Sequence, residues 1–290
     1  MQVINVLKSG ISDIDSIVKK DRRELHIVKE TCNNKLVRLS RQAMKIVLIG
    51  RDPYARIYSA YVDKSYLGFK TNNSTLKRTN NCSFVEQPFI ESFQEFLQNV
   101  FDDLNERKSN SHWTPVFILC NPCQSNIFLQ IKLEELSKDM NYIYSRIGFS
   151  EDLQTQIKKL STCRIDTLTG IASTIFQKHM DTKCKNSFLI AKRLWVSFQL
   201  QGYINEKSKF PGQLADFKYT NSSEVATKLF MKLISNEMSA NPLSKSEANT
   251  QRYTNLVRAY RNVHSDSILK IQHYFKMDFL LFNYSMFPPQ

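Results

Sequence analysis

"MKIVLIGRDPYARIYSAYVDK", residues 44–64, is the stretch on which the fold turns. Ile46 to Ile49 is a continuous apolar run rich in β-branched side chains, and it stops at Gly50. A run this short, without polar alternation, predicts a strand covered on both faces, as in the parallel sheets of α/β domains. Asp52 stands where an N-cap is wanted and Pro53 at the first helical position. The strand therefore passes at once into a helix over about 53–63.

On that helix Asp52, Arg56, Ser59 and Asp63 recur at helical spacing and share a polar face. Tyr54, Ile57, Tyr58 and Tyr61 share the other, which is expected to pack on the sheet. Ligands of open α/β sheets lie beyond the carboxyl ends of the strands, and Arg51 stands at that place. Its guanidinium is a planar, permanently charged fork that matches phosphate or sulfate. The helix that follows adds free N–H groups and the positive end of its dipole. Ser59 offers a hydroxyl on the same side as a second donor. The competing view makes Ser59 an exposed serine and Arg56 the surface partner of Asp52 or Asp63.

Further along, Phe93, Phe96, Leu97, Val100, Phe101 and Leu104 mark an amphipathic helix. "HWTPVFILCNPC" (112–123) holds a short apolar run between prolines, and "NIFLQIKL" (126–133) reads as a second strand. Leu136, Met140, Ile143, Tyr144 and Ile147 give a helix that stops at Gly148. "SFLIAKRLWVSFQLQGYI" (187–204) fits strand or helix equally. Helices are expected over about 223–238, 244–262 and 266–282, behind Ser or Asp caps, with Pro242 as a break. Strand–helix alternation followed by helices predicts one α/β domain over 1–290, with a parallel sheet flanked by helices and a helical C-terminal part.

Composition narrows the function. Seven glycines in 290 residues, with no Gly-rich phosphate motif, argue against a nucleoside-triphosphate loop. The net charge of +13 calls for an anionic partner, and no nucleic-acid-binding motif is present, so nucleic acid is not expected. No apolar run approaches 18 residues, so no membrane span is expected, and the acidic Asp13 and Asp15 exclude a secretory signal at the start. Glycosylation sequons at Asn72, Asn73, Asn81, Asn221 and Asn283, with six cysteines, lean towards a secretory lumen. Cys120-x-x-Cys123 has no second pair for a structural zinc site, and Pro122 and the apolar run before the motif weaken a redox reading.

Four blocks, in order, carry a resemblance. Residues 49–64 resemble the F-V-R-[DEN]-P-[FY]-x-R-L-x-S-A-Y-x-[DN]-K pattern of Golgi carbohydrate sulfotransferases, the group with the chondroitin and dermatan four-sulfotransferases and the HNK-1 sulfotransferase. "HWTPVFILCNPC" is similar to that family's H-W-x-P-x-x-x-L-C-x-P-C. "FLQIKLEELSKDMNYIYSRIG" (128–148) is similar to F-x-x-x-K-x-E-T-L-x-x-D-x-x-Y-x-x-x-x-[IL]-G, and "YFKMDFLLFNYS" (274–285) to Y-x-x-D-F-x-x-F-x-Y.

The resemblance implies a P-loop-like sulfotransferase fold and transfer of a sulfuryl group from 3'-phosphoadenosine-5'-phosphosulfate (PAPS) to a hydroxyl of an acidic or neutral glycan. Arg51 and Ser59 match the family positions that hold the donor's 3'-phosphate. No metal is expected. His26 is the first candidate for the base that takes the acceptor proton, with His112 the alternative; Lys132 is a weaker candidate for a donor or acceptor contact, with a solvated surface lysine the favoured alternative. His179, His264 and His273 are expected on helices or the surface. The resemblance places the protein in the Golgi lumen, with its cysteines in luminal disulfides and a membrane anchor only in a full-length form. One departure stands out. Nothing matches the family's upstream P-K-[VS]-[AG]-[CS]-[ST]-x-W-K loop, so the first strand and the donor loop are expected to be missing from this chain. The alternative is a catalytically inactive glycan- or nucleotide-binding relic.

Overall fold

The computed structural model describes residues 46–67, 92–124, 127–148, 150–152, 154–155, 164–180, 186–211, 217, 220 and 222–290. Ile46–Gly50 is strand β1 and Ile127–Lys132 is strand β2, as the sequence predicts for both stretches. They pair in parallel, with Gly50 opposite Lys132 and a register irregularity between Ile46 and Val47. The fold is helix-rich α/β around this small parallel sheet.

Both faces of the sheet are covered. Val47 and Ile131 pack with Ile143 of helix α4 (Leu136–Ile147). Leu48 faces the other way, against Val116 of α3 (Val116–Cys120) and Phe282. Successive strand residues point to opposite faces, so an uninterrupted apolar run is what two covered faces require. A methyl group on Gly50 would lie 2.5 Å from the Phe282 ring, itself buried, so only glycine fits at this strand end.

Helix α1 (Pro53–Ala60) begins as expected, with Asp52 Oδ1 accepting the Ala55 N–H at 2.8 Å and Pro53 in the first turn. It runs on as a π-helical turn over Tyr61–Tyr66, beyond the expected end at 63. Its aromatic face does not pack on the sheet, whose faces are already occupied. Tyr54, Ile57 and Ala60 pack instead on α2 (Phe93–Asn105), on Leu256 and Tyr260 of α8 (Lys245–Arg261), and on Ile271 of α9 (Ser265–Tyr274). Tyr54 meets Tyr260 edge-on at 5.1 Å, and the Tyr260 hydroxyl donates to the Tyr54 carbonyl at 3.0 Å.

A second core joins α5 (Arg164–Met180), α6 (Ser187–Leu200) and α7 (Ser223–Ala240). The ambiguous stretch at 187–204 is thus a helix. Leu194, Trp195 and Phe198 are buried within it, and the chain turns at Gly202 with φ of +66°. Ser222 caps α7, and Ser244 forms a capping box with Glu247 at α8. The expected helix over 266–282 is two pieces, α9 and α10 (Lys276–Leu281), broken at Phe275, and His264 rather than Ser or Asp takes the N-cap position.

His179 sits half-buried near the end of α5. Burial, helped by the neighbouring Lys178, pulls its pKa from 6.5 to about 4. Between those values the unfolded chain binds more protons, so this stability is fully present above pH 6.5 and is lost as pH falls towards 4. The expected loss is at most about 3 kcal/mol. Urea unfolding at pH 7 and pH 4.5 measures it, and His179→Gln should flatten the difference.

Candidate functional site at the strand ends

Because β1 and β2 are parallel, their carboxyl ends lie side by side and the chain leaves each at the same mouth. β1 continues into Arg51 and Asp52, and β2 into Leu133 and Glu134. The Leu133 N–H extends the ladder by bonding the Gly50 carbonyl at 2.7 Å. Glu134 Oε1 accepts the Asp52 N–H at 3.2 Å.

The segment after α10 crosses this mouth. The Tyr284 hydroxyl donates to Glu134 Oε2 at 2.5 Å and stands 3.4 Å from the Gly50 carbonyl oxygen. Burial and the Glu134 contact push the Tyr284 pKa up. Lys132 is half-buried rather than freely solvated: its ammonium donates to the Asn283 carbonyl at 3.0 Å and lies 5.0 Å from the centre of the Tyr284 ring. Tyr54 and Gln272 both donate to the Met286 carbonyl, at 2.7 and 2.8 Å.

Arg51 is half-buried at the centre of this arrangement. Burial lowers its pKa, Glu134 and Asp52 oppose that, and the nearby Arg252 of α8 lowers it again. A guanidinium stays protonated regardless. Among the described residues its nitrogens have no hydrogen-bond partner. Half-buried, and without a hydrogen-bond acceptor among the described residues, it is suited to an anion from outside. The end of α1 contributes less than the sequence suggests, because the carboxylate of Asp52 already takes its N–H groups. Ser59 is half-buried in the last turn of α1, about 9 Å along the axis from Pro53. Helical Cα–Cβ bonds tilt towards the N-terminus, so that of Ser59 tilts towards the Arg51 end.

Between them lies a residue the sequence misplaced. Arg56 is buried, not on an exposed polar face, and it pairs with neither Asp52 nor Asp63. Its Nη2 donates to the Ser111 carbonyl at 3.0 Å, and its Nη1 stands 3.8 Å from the carboxylate of Asp278. Asp278, also buried, accepts the backbone N–H groups of Val116 and Phe117, both at 2.7 Å, and so caps α3 from a distant element. Burial pushes the Asp278 carboxyl up and the Arg56 guanidinium down, while the N–H donors and the ion pair hold the charged forms. One buried pair thus ties three of the four sequence blocks together. An acid inside the apolar run "MDFLLF" was the available signal for Asp278.

His112 lies half-buried in the loop before α3, its ring 6.4 Å from that of Trp113 and its backbone N–H donating to Asn110 Oδ1 at 3.0 Å. Its neighbour Ser111 is the residue held by Arg56. His26, and the expected missing strand and loop, lie outside the described residues. Cys120 and Cys123 are not bridged to one another, and the other cysteines lie outside the described residues. A cleft of about 560 Å³ beside α3, β2 and α10 is lined by Phe117, Cys123, Ile127 and Leu280, and among the described residues no charged side chain lines it, so these residues do not suit an anion. Among the described residues no helix is long and apolar enough to cross a membrane.

Residues 1–194 match the model of a family described as the sulfotransferase family. Among curated proteins, the chain is 28% identical over 135 residues to carbohydrate sulfotransferase 11 of Danio rerio, covering 43% of this chain and 38% of that protein. It is 27% identical over 217 residues to carbohydrate sulfotransferase 14 of Danio rerio, covering 70% of this chain and 55% of that protein. It is 31% identical over 128 residues to carbohydrate sulfotransferase 12 of Xenopus laevis, covering 35% and 30%. The matched part therefore spans about half or less of each of these relatives. No solved structure matches the chain.

Proposed function

The chain belongs to the sulfotransferase family, and from that premise we propose that it moves a sulfuryl group from PAPS to a hydroxyl of a glycan. The acceptor class follows from the relatives, which are named as carbohydrate sulfotransferases. A single domain over residues 1–290, working in the Golgi lumen on an acidic or neutral glycan, is part of the same reading.

The observation that carries the donor assignment is Arg51. It is a half-buried guanidinium at the carboxyl ends of parallel strands, with no hydrogen-bond partner among the described residues. That is a fit for a terminal phosphate. Arg51 binds the 3'-phosphate through its fork, and the Ser59 hydroxyl donates to the same group from the other end of α1. This contact distinguishes PAPS from nucleotides that lack the phosphate. Binding in this way orients the donor for in-line attack, and positioning and charge stabilisation supply most of the rate.

The remaining need is a base to take the proton of the attacking hydroxyl. Histidine suits it near neutral pH. His26 is the proposed base and His112 the alternative, His112 being held near α1 through the Arg56–Ser111 contact. The test is transfer of radiolabelled sulfate from PAPS to a panel of desulfated glycans by the full chain. Label incorporation that needs both donor and glycan is the expected result; none from any acceptor would sink the proposal.

A further inference from the structure

Arg51 is held by its backbone as well as placed by the strand. The peptide N–H on its C-terminal side, that of Asp52, is bound by Glu134. The peptide carbonyl on its N-terminal side, that of Gly50, accepts from Leu133 and faces the Tyr284 hydroxyl. Tyr284 also holds the second oxygen of Glu134. Glu134 therefore spends both oxygens on neutral donors, although the Arg51 guanidinium is close enough to feel its charge.

This is an odd place for a carboxylate. An acid beside a phosphate-binding arginine would repel the ligand and compete for the fork. Glu134 is exposed, and its oxygens are engaged elsewhere, which keeps them from taking the fork. Asp52 N–H takes one, and the Tyr284 hydroxyl takes the other. Phe282 packed on Gly50 and Lys132 bound to Asn283 fix the segment that delivers that hydroxyl.

We propose that Tyr284, acting on Glu134, is a positioning residue for Arg51: it holds the carboxylate on the backbone and off the guanidinium, leaving the fork open to a terminal phosphate. Residues 282–286 thereby complete the nucleotide site. The inference rests on the reading that Arg51 meets the donor's 3'-phosphate.

Calorimetric titration of the full chain with 3'-phosphoadenosine-5'-phosphate and with 5'-AMP tests it. Tyr284→Phe should weaken the bisphosphate about tenfold, the scale of one charge-assisted hydrogen bond, and leave 5'-AMP unchanged. Adding Glu134→Gln to Tyr284→Phe removes the freed charge and keeps an acceptor for Asp52, so bisphosphate affinity should return. If Tyr284→Phe binds the bisphosphate like wild type while Arg51→Ala does not, the positioning role is wrong and the donor reading stands. If Arg51→Ala also binds it like wild type, the donor reading fails first. Equal loss of both nucleotides, without rescue by Glu134→Gln, makes Tyr284 a structural residue and overturns the inference.

Discussion

Arg51→Ala should weaken binding of 3'-phosphoadenosine-5'-phosphate about a hundredfold. A charge-assisted hydrogen bond is worth about 1.5–3 kcal/mol, a bidentate fork makes two, and each 1.4 kcal/mol is tenfold in Kd. The loss should fall on the nucleotide and not on the fold, because among the described residues no hydrogen bond or ion pair depends on the Arg51 side chain. Arg51→Lys keeps the charge and loses the planar fork, so it should recover only part of the affinity. Calorimetry gives the Kd values and a melting curve checks the fold. A Kd that stays put in Arg51→Ala would remove this residue from the donor site.

The largest effect on stability is expected at Asp278. Asp278→Ala leaves the N–H groups of Val116 and Phe117 without their acceptor and the buried Arg56 without its counter-charge. Breaking one partner of a buried ion pair costs about 3–5 kcal/mol. For a chain of this size that lowers Tm by roughly 10 °C. Arg56→Met combined with Asp278→Asn should recover part of the loss, since no charge is then buried alone and one acceptor remains for α3. The readout is the melting temperature at constant pH. A change of less than about 1 °C in Asp278→Ala would mean that the contacts around α3 carry no net stability.

These two residues show how much the sequence discloses. Strand β1, strand β2, the Asp52 cap and the stop at Gly148 were legible because each depends on local chemistry: an apolar run, a cap, a left-handed glycine. The position of Arg51 was legible because it follows directly from the end of a strand. Arg56 was not. Its helical phase puts it beside Asp52 and Asp63, and the face looks solvated until Asp278, 222 residues along the chain, arrives to pair with it. The aromatic face of α1 failed for the same kind of reason. Periodicity says that Tyr54 and Ile57 are buried, but not which element buries them, and α4 and Phe282 had already taken the sheet. Glu134 and Tyr284 were present in the quoted blocks, yet their contact with the residues flanking Arg51 exists only once β2 and the segment after α10 are in place.

The arrangement brings the four distant sequence blocks together in space. Arg56 in the first, Ser111, Val116 and Phe117 in or beside the second, and Asp278 in the last are one hydrogen-bonded unit. Lys132 and Glu134 in the third block meet Asn283 and Tyr284 in the fourth.

The most direct measurement compares the wild-type chain's affinity for 3'-phosphoadenosine-5'-phosphate with that for 5'-AMP at fixed ionic strength. Recognition of the extra phosphate by Arg51 and Ser59 predicts at least a tenfold preference for the bisphosphate, shrinking as salt is raised. Equal affinities for the two nucleotides would contradict the account at its centre.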